Sequence, residues 1–116
     1  MGSFDEIELR NLMKDVFGYL EFRPGQLEVI KEIQQEKNVL SVMPTGAGKS
    51  LCYQLPAIYS SLQTIIVSPL VALMDDQVTA LSANGITASK IHSGQSYEEN
   101  KNAWVRFSNE KNKILY

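Results

Sequence analysis

The chain has 116 residues, 44% of them hydrophobic, enough for one compact domain with a buried core. Eleven basic and thirteen acidic residues leave a net charge of −2, so no global positive field attracts nucleic acid and any such contact must come from local geometry. The single cysteine, Cys52, excludes an internal disulfide and suits a reducing compartment, and without a Cys/His cluster there is no structural zinc site in this chain. No apolar run is long enough to span a bilayer and no signal peptide is present, so a soluble intracellular protein is expected. Met1, Gly2 and Ser3 are given no functional weight.

Taken in order, Ser3 or Asp5 can cap a first helix whose apolar side is Ile7, Leu9, Leu12, Met13, Val16 and Phe17, with Gly18 ending it. A loop through Tyr19, Phe22 and Arg23 feeds a second helix. Pro24 suits its first position, and Leu27, Ile30 and Ile33 give it a buried stripe. Asn38, Val39, Leu40, Ser41 and Val42 form a short β-branched run predicted as a strand. A third helix is predicted over 49–60, with Pro56 kinking it or ending it early. Residues 64–68 read as a strand buried on both faces. Ser68 as cap and Pro69 at the first helical position then start a fourth helix, striped by Leu70, Leu73, Met74, Val78 and Leu81 and stopped at Asn84 and Gly85. Residues 86–91 read as another short strand. Ser96 and Glu99 have capping-box spacing for a helix carrying Trp104, Val105 and Phe107, and 113–116 begins a further strand. Strands alternating with helices across short connections predict an α/β fold: a parallel sheet flanked by helices, with the loops at the strand C-terminal ends along one edge. No repeat, low-complexity tract or linker interrupts it, so 1–116 is read as one unit.

The stretch Met43, Pro44, Thr45, Gly46, Ala47, Gly48, Lys49 and Ser50 lies between the predicted strand and the third helix, the setting a phosphate-binding loop requires. Glycines let the main-chain N–H groups turn inward, and the following helix points its positive end into the same hollow. Lys49 would reach the β- and γ-phosphates of a nucleoside triphosphate, and the Ser50 hydroxyl would help hold Mg²⁺. The strict pattern wants glycine where Met43 stands; the part from Gly46 to Ser50 is intact. Cys52, just past the loop, reads as a small buried hydrophobe rather than a reactive thiol. Upstream, the Gln26 side chain can pair bidentately with the donor and acceptor edge of adenine, and Tyr19 or Arg23 can stack on the base. Taken alone, an aromatic, an arginine and a glutamine near a helix start are more often packing and surface.

Phe17-Gly18-Tyr19 followed by Phe22-Arg23-Pro24-Gly25-Gln26 resembles the adenine-recognition motif of RecQ-family DNA helicases. Residues 43–57 resemble that family's nucleotide loop and helix. Val67-Ser68-Pro69-Leu70 running to Asp76-Gln77-Val78 is similar to its next helicase motif, and Lys113-Ile114-Leu115-Tyr116 to the strand before its Pro-Glu motif. Ala47 stands where the family usually has a glycine. The resemblance covers nearly all of the chain from Phe17 on. It implies a RecA-like P-loop domain, the N-terminal part of a first motor domain cut short, and ATP-driven 3′-to-5′ unwinding of duplex DNA. Carried over position by position, Tyr19, Arg23 and Gln26 would read adenine; Thr45, Gly46, Ala47, Gly48 and Lys49 would surround the phosphates of ATP, and Ser50 would hold Mg²⁺. Ser68, Pro69 and Leu70 would open a helix whose N–H groups take a DNA phosphate. The partner implied is DNA, single-stranded or with a single-stranded tail, and the location is cytoplasmic or nucleoid-associated, or nuclear in a eukaryote.

Hydrolysis needs more than the loop: a nucleophile must be positioned and charge on the γ-phosphate stabilised. No acid followed by a water-activating glutamate is found here, and no arginine finger is assignable, so the remaining helicase domains are expected beyond Tyr116. Asp75 and Asp76 fall inside a helical stripe rather than at a strand end, and read as a solvated helix face instead of a Mg²⁺ pair. His92, alone at a strand end, reads as a loop hydrogen-bonding residue, and Trp104 as helix packing. The rival assignments are a DEAD-box-like RNA helicase fragment, which would carry an arginine–glutamate pair in place of Ser-Pro-Leu, a non-catalytic nucleotide-binding or interaction module, and a small P-loop kinase.

Overall fold

A computed structural model describes residues 4–44, 48–60, 62–109 and 112–116. The chain forms two compact units, 1–61 and 62–116. The first holds three helices, α1 (Glu6–Phe17), α2 (Gln26–Gln34) and α3 (Leu51–Tyr59). Asp5 caps α1 as expected, accepting from the amides of Ile7 at 2.9 Å and Glu8 at 3.2 Å. Gly18 ends the helix in the left-handed region, φ +76°. The core of this unit is Leu9, Met13, Ile30, Leu51 and Leu55, one or two residues from each helix, with Phe17, Phe22, Leu27 and Tyr59 packed around them. Fully burying each such side chain contributes about 1.5–3 kcal/mol. Ile7, predicted on the inner face of α1, points outward and is 72% exposed.

Several boundaries differ from the sequence expectation. Pro24 is not the first residue of α2: Gly25 takes the cap position at φ +87°, a conformation proline cannot adopt, and the helix starts at Gln26. Helix α3 runs through Pro56 to Tyr59 without an early end; the Pro56 carbonyl still accepts from Ser60 at 2.8 Å. Residues 38–42 form no strand. Val39, Leu40 and Val42 are exposed, and among the described residues no ladder partner holds them, which a strand needs and a helix does not.

The second unit is α/β, as predicted: β1 (Thr64–Ile65), α4 (Val71–Ala83), β2 (Ala88–Ser89), α5 (Tyr97–Ser108) and β3 (Ile114–Leu115). The three strands are parallel in the order β1-β3-β2, with Thr64 and Ala88 both opposite Ile114. Central β3 is buried, together with Tyr116. Residues 64–68 alternate between half-buried and exposed, with Ile65 60% and Val67 92% exposed, so the strand expected to be buried on both faces is covered on one. The strand expected over 86–91 is confined to Ala88–Ser89. Ser96 and Glu99 form the predicted capping box on α5, and Asn84 and Gly85, the latter at φ +81°, end α4. Trp104 packs on Phe107 with ring centroids 6.1 Å apart, yet half of it remains exposed. No helix among the described residues is long and apolar enough to cross a membrane.

Candidate functional site

The exit of the glycine-rich loop is well defined. Thr45, Gly46 and Ala47 lie outside the described residues. Gly48 follows at φ +79°, then exposed Lys49, then Ser50 as the cap residue of α3. The first turn of the helix closes through the amides of Cys52, bonded to the Lys49 carbonyl at 3.1 Å, and Gln54, bonded to that of Ser50 at 2.9 Å. The Ser50 side chain does not cap the helix. Lys49 therefore stands in water at the positive end of α3, where an anion is favoured. Cys52 is buried, its Sγ 4.0 Å from the Gly48 carbonyl, and burial pushes its thiol above the ordinary range; it is the inert small hydrophobe expected.

Gln26 joins this loop to the element upstream. The side chain is 3% exposed. Its Oε1 accepts from the Arg23 main-chain N–H at 2.8 Å, and its Nε2 donates to the Gly48 carbonyl at 3.0 Å. Arg23, Gln26 and Gly48 are thus brought together across 22 residues of sequence. A carboxamide has two donor hydrogens and two acceptor lone pairs, so one of each remains beyond these two bonds. Gly48 has to be glycine for this contact, since a Cβ there would lie 2.4 Å from Gln26 Nε2. Arg23 is exposed, and Tyr19, 53% exposed, lies parallel to the Phe17 ring at 6.4 Å. A cavity of about 570 Å³ opens beside Arg23, Gly25, Val29, Leu40, Met43 and Pro44, and a second of about 340 Å³ has Lys49, Cys52 and Tyr53 in its wall. The Gln26–Gly48 bond was missed in the sequence, where nothing but the two residue types signals it.

In the second unit, Ser68 and Pro69 do not begin α4. Leu70 is its cap residue, and the Ser68 hydroxyl accepts from the Leu70 amide at 3.3 Å in a local turn, which draws the serine off the helix amides. Pro69 and Leu70 are exposed and Ser68 is half-buried, so the segment is presented ahead of the helix rather than as its first turn. Asp76 is exposed, as expected of a solvated face, but Asp75 is an ion-pair residue: its carboxylate accepts from Lys90 Nζ. Hydrogen bonding from Lys90 holds the Asp75 carboxyl below its usual range, with the charges of Lys90 and His92 adding to it. His92 is a loop hydrogen-bonding residue as predicted, its Nδ1 accepting from the Gly94 amide at 3.1 Å. Lys90 carried no signal in the sequence.

Residues 23–116 match the family model described as DEAD/DEAH box helicase. The chain is 44% identical over 106 residues to a Haemophilus influenzae protein named ATP-dependent DNA helicase RecQ, covering 91% of this chain and 17% of that protein. It is 47% identical over 91 residues to the Bacillus subtilis protein of the same name, with 78% of this chain and 15% of that protein covered. To rat ATP-dependent DNA helicase Q1 it is 40% identical over 111 residues, 94% of this chain and 18% of that protein. The chain thus spans less than a fifth of the length of these relatives.

Proposed function

The chain belongs to the DEAD/DEAH box helicase family, with RecQ helicases among its relatives, and on that premise we propose that it is the ATP-binding part of an ATP-dependent 3′-to-5′ DNA helicase serving replication, recombination or repair. The observation that carries this is the unbroken family match over 23–116, which takes in both the Gln26–Gly48 pair and the 68–70 segment. Tyr19, Arg23 and Gln26 would face the adenine, with the exposed Tyr19 ring and the exposed Arg23 side chain available for stacking on the base. Gln26 would offer its remaining donor and acceptor to the base while its other two stay on Arg23 and Gly48. Thr45, Gly46, Ala47, Gly48 and Lys49 would hold the phosphates, Lys49 acting as a point charge at the head of α3.

Mg²⁺ fits the residues present in one way. Ser50 supplies a single hydroxyl, and among the described residues no cluster of three or more His, Cys, Asp or Glu side chains forms a cage. A hard cation that keeps most of its waters and comes in on a triphosphate needs no more than that from the protein here, and would supply charge neutralisation at the γ-phosphate. Ser68, Pro69 and Leu70 would take DNA, single-stranded or tailed, in the cytoplasm or nucleoid, or in the nucleus of a eukaryote. A DEAD-box-like RNA helicase is disfavoured by Ser-Pro-Leu at 68–70. This chain alone should bind nucleotide without turning it over, since no acid followed by a water-activating glutamate and no arginine finger is assignable in its sequence.

Titration with fluorescently labelled ATP and GTP tests the proposal. Tighter binding of ATP is expected, and Lys49→Ala should abolish binding with the melting temperature unchanged. Equal affinity for the two nucleotides would remove the role of Gln26; binding that survives Lys49→Ala would place the triphosphate elsewhere.

A further inference from the structure

We propose that Asp75, acting through Lys90, is a positioning residue that ties α4 to the exit of β2 and thereby sets the 68–70 segment as a preformed receiver of a DNA phosphate. The inference rests on the DNA role proposed for 68–70. Asp75 lies early on α4, and Lys90 directly follows β2. Their ion pair is joined by His92, whose Nε2 stands 3.8 Å from the same carboxylate oxygen.

The other side of this stretch is gripped by α5. Asn100 Oδ1 accepts from the His92 amide at 3.3 Å and from Gln95 Nε2 at 2.7 Å, while its Nδ2 donates to the His92 carbonyl at 3.1 Å. Gln95 Nε2 also donates to the Lys90 carbonyl at 2.9 Å. Residues 90–95 are therefore held by side chains from two helices, and Lys90 is a rigid post rather than a loose surface lysine. Helix α4 is tethered to that post. It has no side-chain cap of its own, because the Ser68 hydroxyl is turned to Leu70. Only two residues of α4, Met74 and Leu81, are buried. With so narrow a fully buried stripe, the Asp75–Lys90 pair adds a polar tie that fixes the rotation of α4 about its axis, about one turn from the 68–70 segment. Since β1 and β2 flank β3 in parallel, 66–70 and 90–95 leave the same end of the sheet, roughly 10 Å apart at the usual strand spacing. Ligands of parallel sheets collect at that end.

The test combines fluorescence anisotropy on a labelled oligothymidylate, nucleotide titration, and amide NMR without ligand, all on this chain. Asp75→Asn is expected to shift the Leu70 and Val71 amides, to weaken oligothymidylate binding about threefold, the scale of an exposed ion pair, and to leave ATP affinity unchanged. Lys90→Met should do the same, and the double variant should be no weaker than either single one. The exchanged pair Asp75→Lys with Lys90→Asp should restore binding. Unmoved Leu70 and Val71 amides, or losses that add in the double variant, would overturn the tether. If the unaltered chain binds no oligothymidylate, the DNA role of 68–70 falls, while the amide shifts still decide whether Asp75 sets that segment.

Discussion

Replacing Gly48 with alanine sets a methyl carbon 2.4 Å from the Gln26 amide nitrogen, a distance no real contact sustains. The atom it meets is the end of a flexible side chain, so Gln26 swings aside and the clash itself is relieved. What remains is the loss of its bond to the Gly48 carbonyl, about 0.5–1.5 kcal/mol. Added to this is the strain of alanine held at φ +79°, about 1–2 kcal/mol. Together they predict destabilisation of about 1.5–3.5 kcal/mol, a fall in melting temperature of roughly 10 °C. Urea denaturation followed by circular dichroism measures it. A double-mutant cycle isolates the cause, because in a Gln26→Ala background only the backbone strain is left and Gly48→Ala should cost about 1–2 kcal/mol. The same variant should lose any preference for ATP over GTP, since the displaced carboxamide no longer presents its free donor and acceptor. Equal costs in the two backgrounds, or an unaltered preference for ATP, would refute the claim that Gln26 couples the upstream turn to the loop.

Three further outcomes follow from local geometry. Asp5→Ala removes the acceptor for two amides of α1 and should cost about 1 kcal/mol in chemical denaturation. The Glu99 carboxyl is held below its ordinary value of 4.5, first by the Ser96 amide and then by its side chain. A depressed carboxyl stabilises the fold above its unfolded value and loses that contribution as pH falls through the folded one, so the stability gap between the unaltered chain and Glu99→Gln should narrow on acidification. A gap that stays constant from neutral pH to pH 3 would contradict the capping box. Cys52, buried and with its thiol pushed up, should react with a thiol reagent at neutral pH only after denaturation; rapid labelling of the folded chain would mean that α3 opens locally.

The features legible in the sequence are those whose cause is local. Asp5, Gly18, Asn84 with Gly85, and Ser96 with Glu99 each act within one turn of the residue they cap, so their spacing alone places them. The helix starts at Pro24 and Ser68 failed for a related reason. Both residues suit a helix start, but Gly25 at φ +87° and the Ser68–Leu70 turn each moved the first helical residue two positions on. Contacts between residues distant in sequence left no trace: Gln26 with Gly48, Asp75 with Lys90, and Asn112 Nδ2 with the Ser89 hydroxyl at 2.6 Å. Each residue type was visible; the partner was not.

Strands show the same limit at larger scale, and it bears on the site. A run such as 38–42 has the composition of a strand, but a strand acquires its hydrogen bonds from a neighbour, whereas a helix closes its own. With no neighbouring strand bonded to it among the described residues, the lead-in to the loop stays irregular and shows Leu40 and Val42 to water at 92% and 89% exposure. The loop exit depends on nothing of the kind. Gly48, Lys49 and Ser50 are fixed by the first turn of α3, by the Gln26 bond from α2, and by Ile30 of α2 and Leu55 of α3 meeting in one core. A phosphate site needs its lysine and the amides ahead of its helix aligned with each other more than it needs the strand behind them. The loop exit from Gly48 to Ser50 is therefore organised by helix packing, and the proposed purine-reading side chain of Gln26 is bonded to the first residue of that exit.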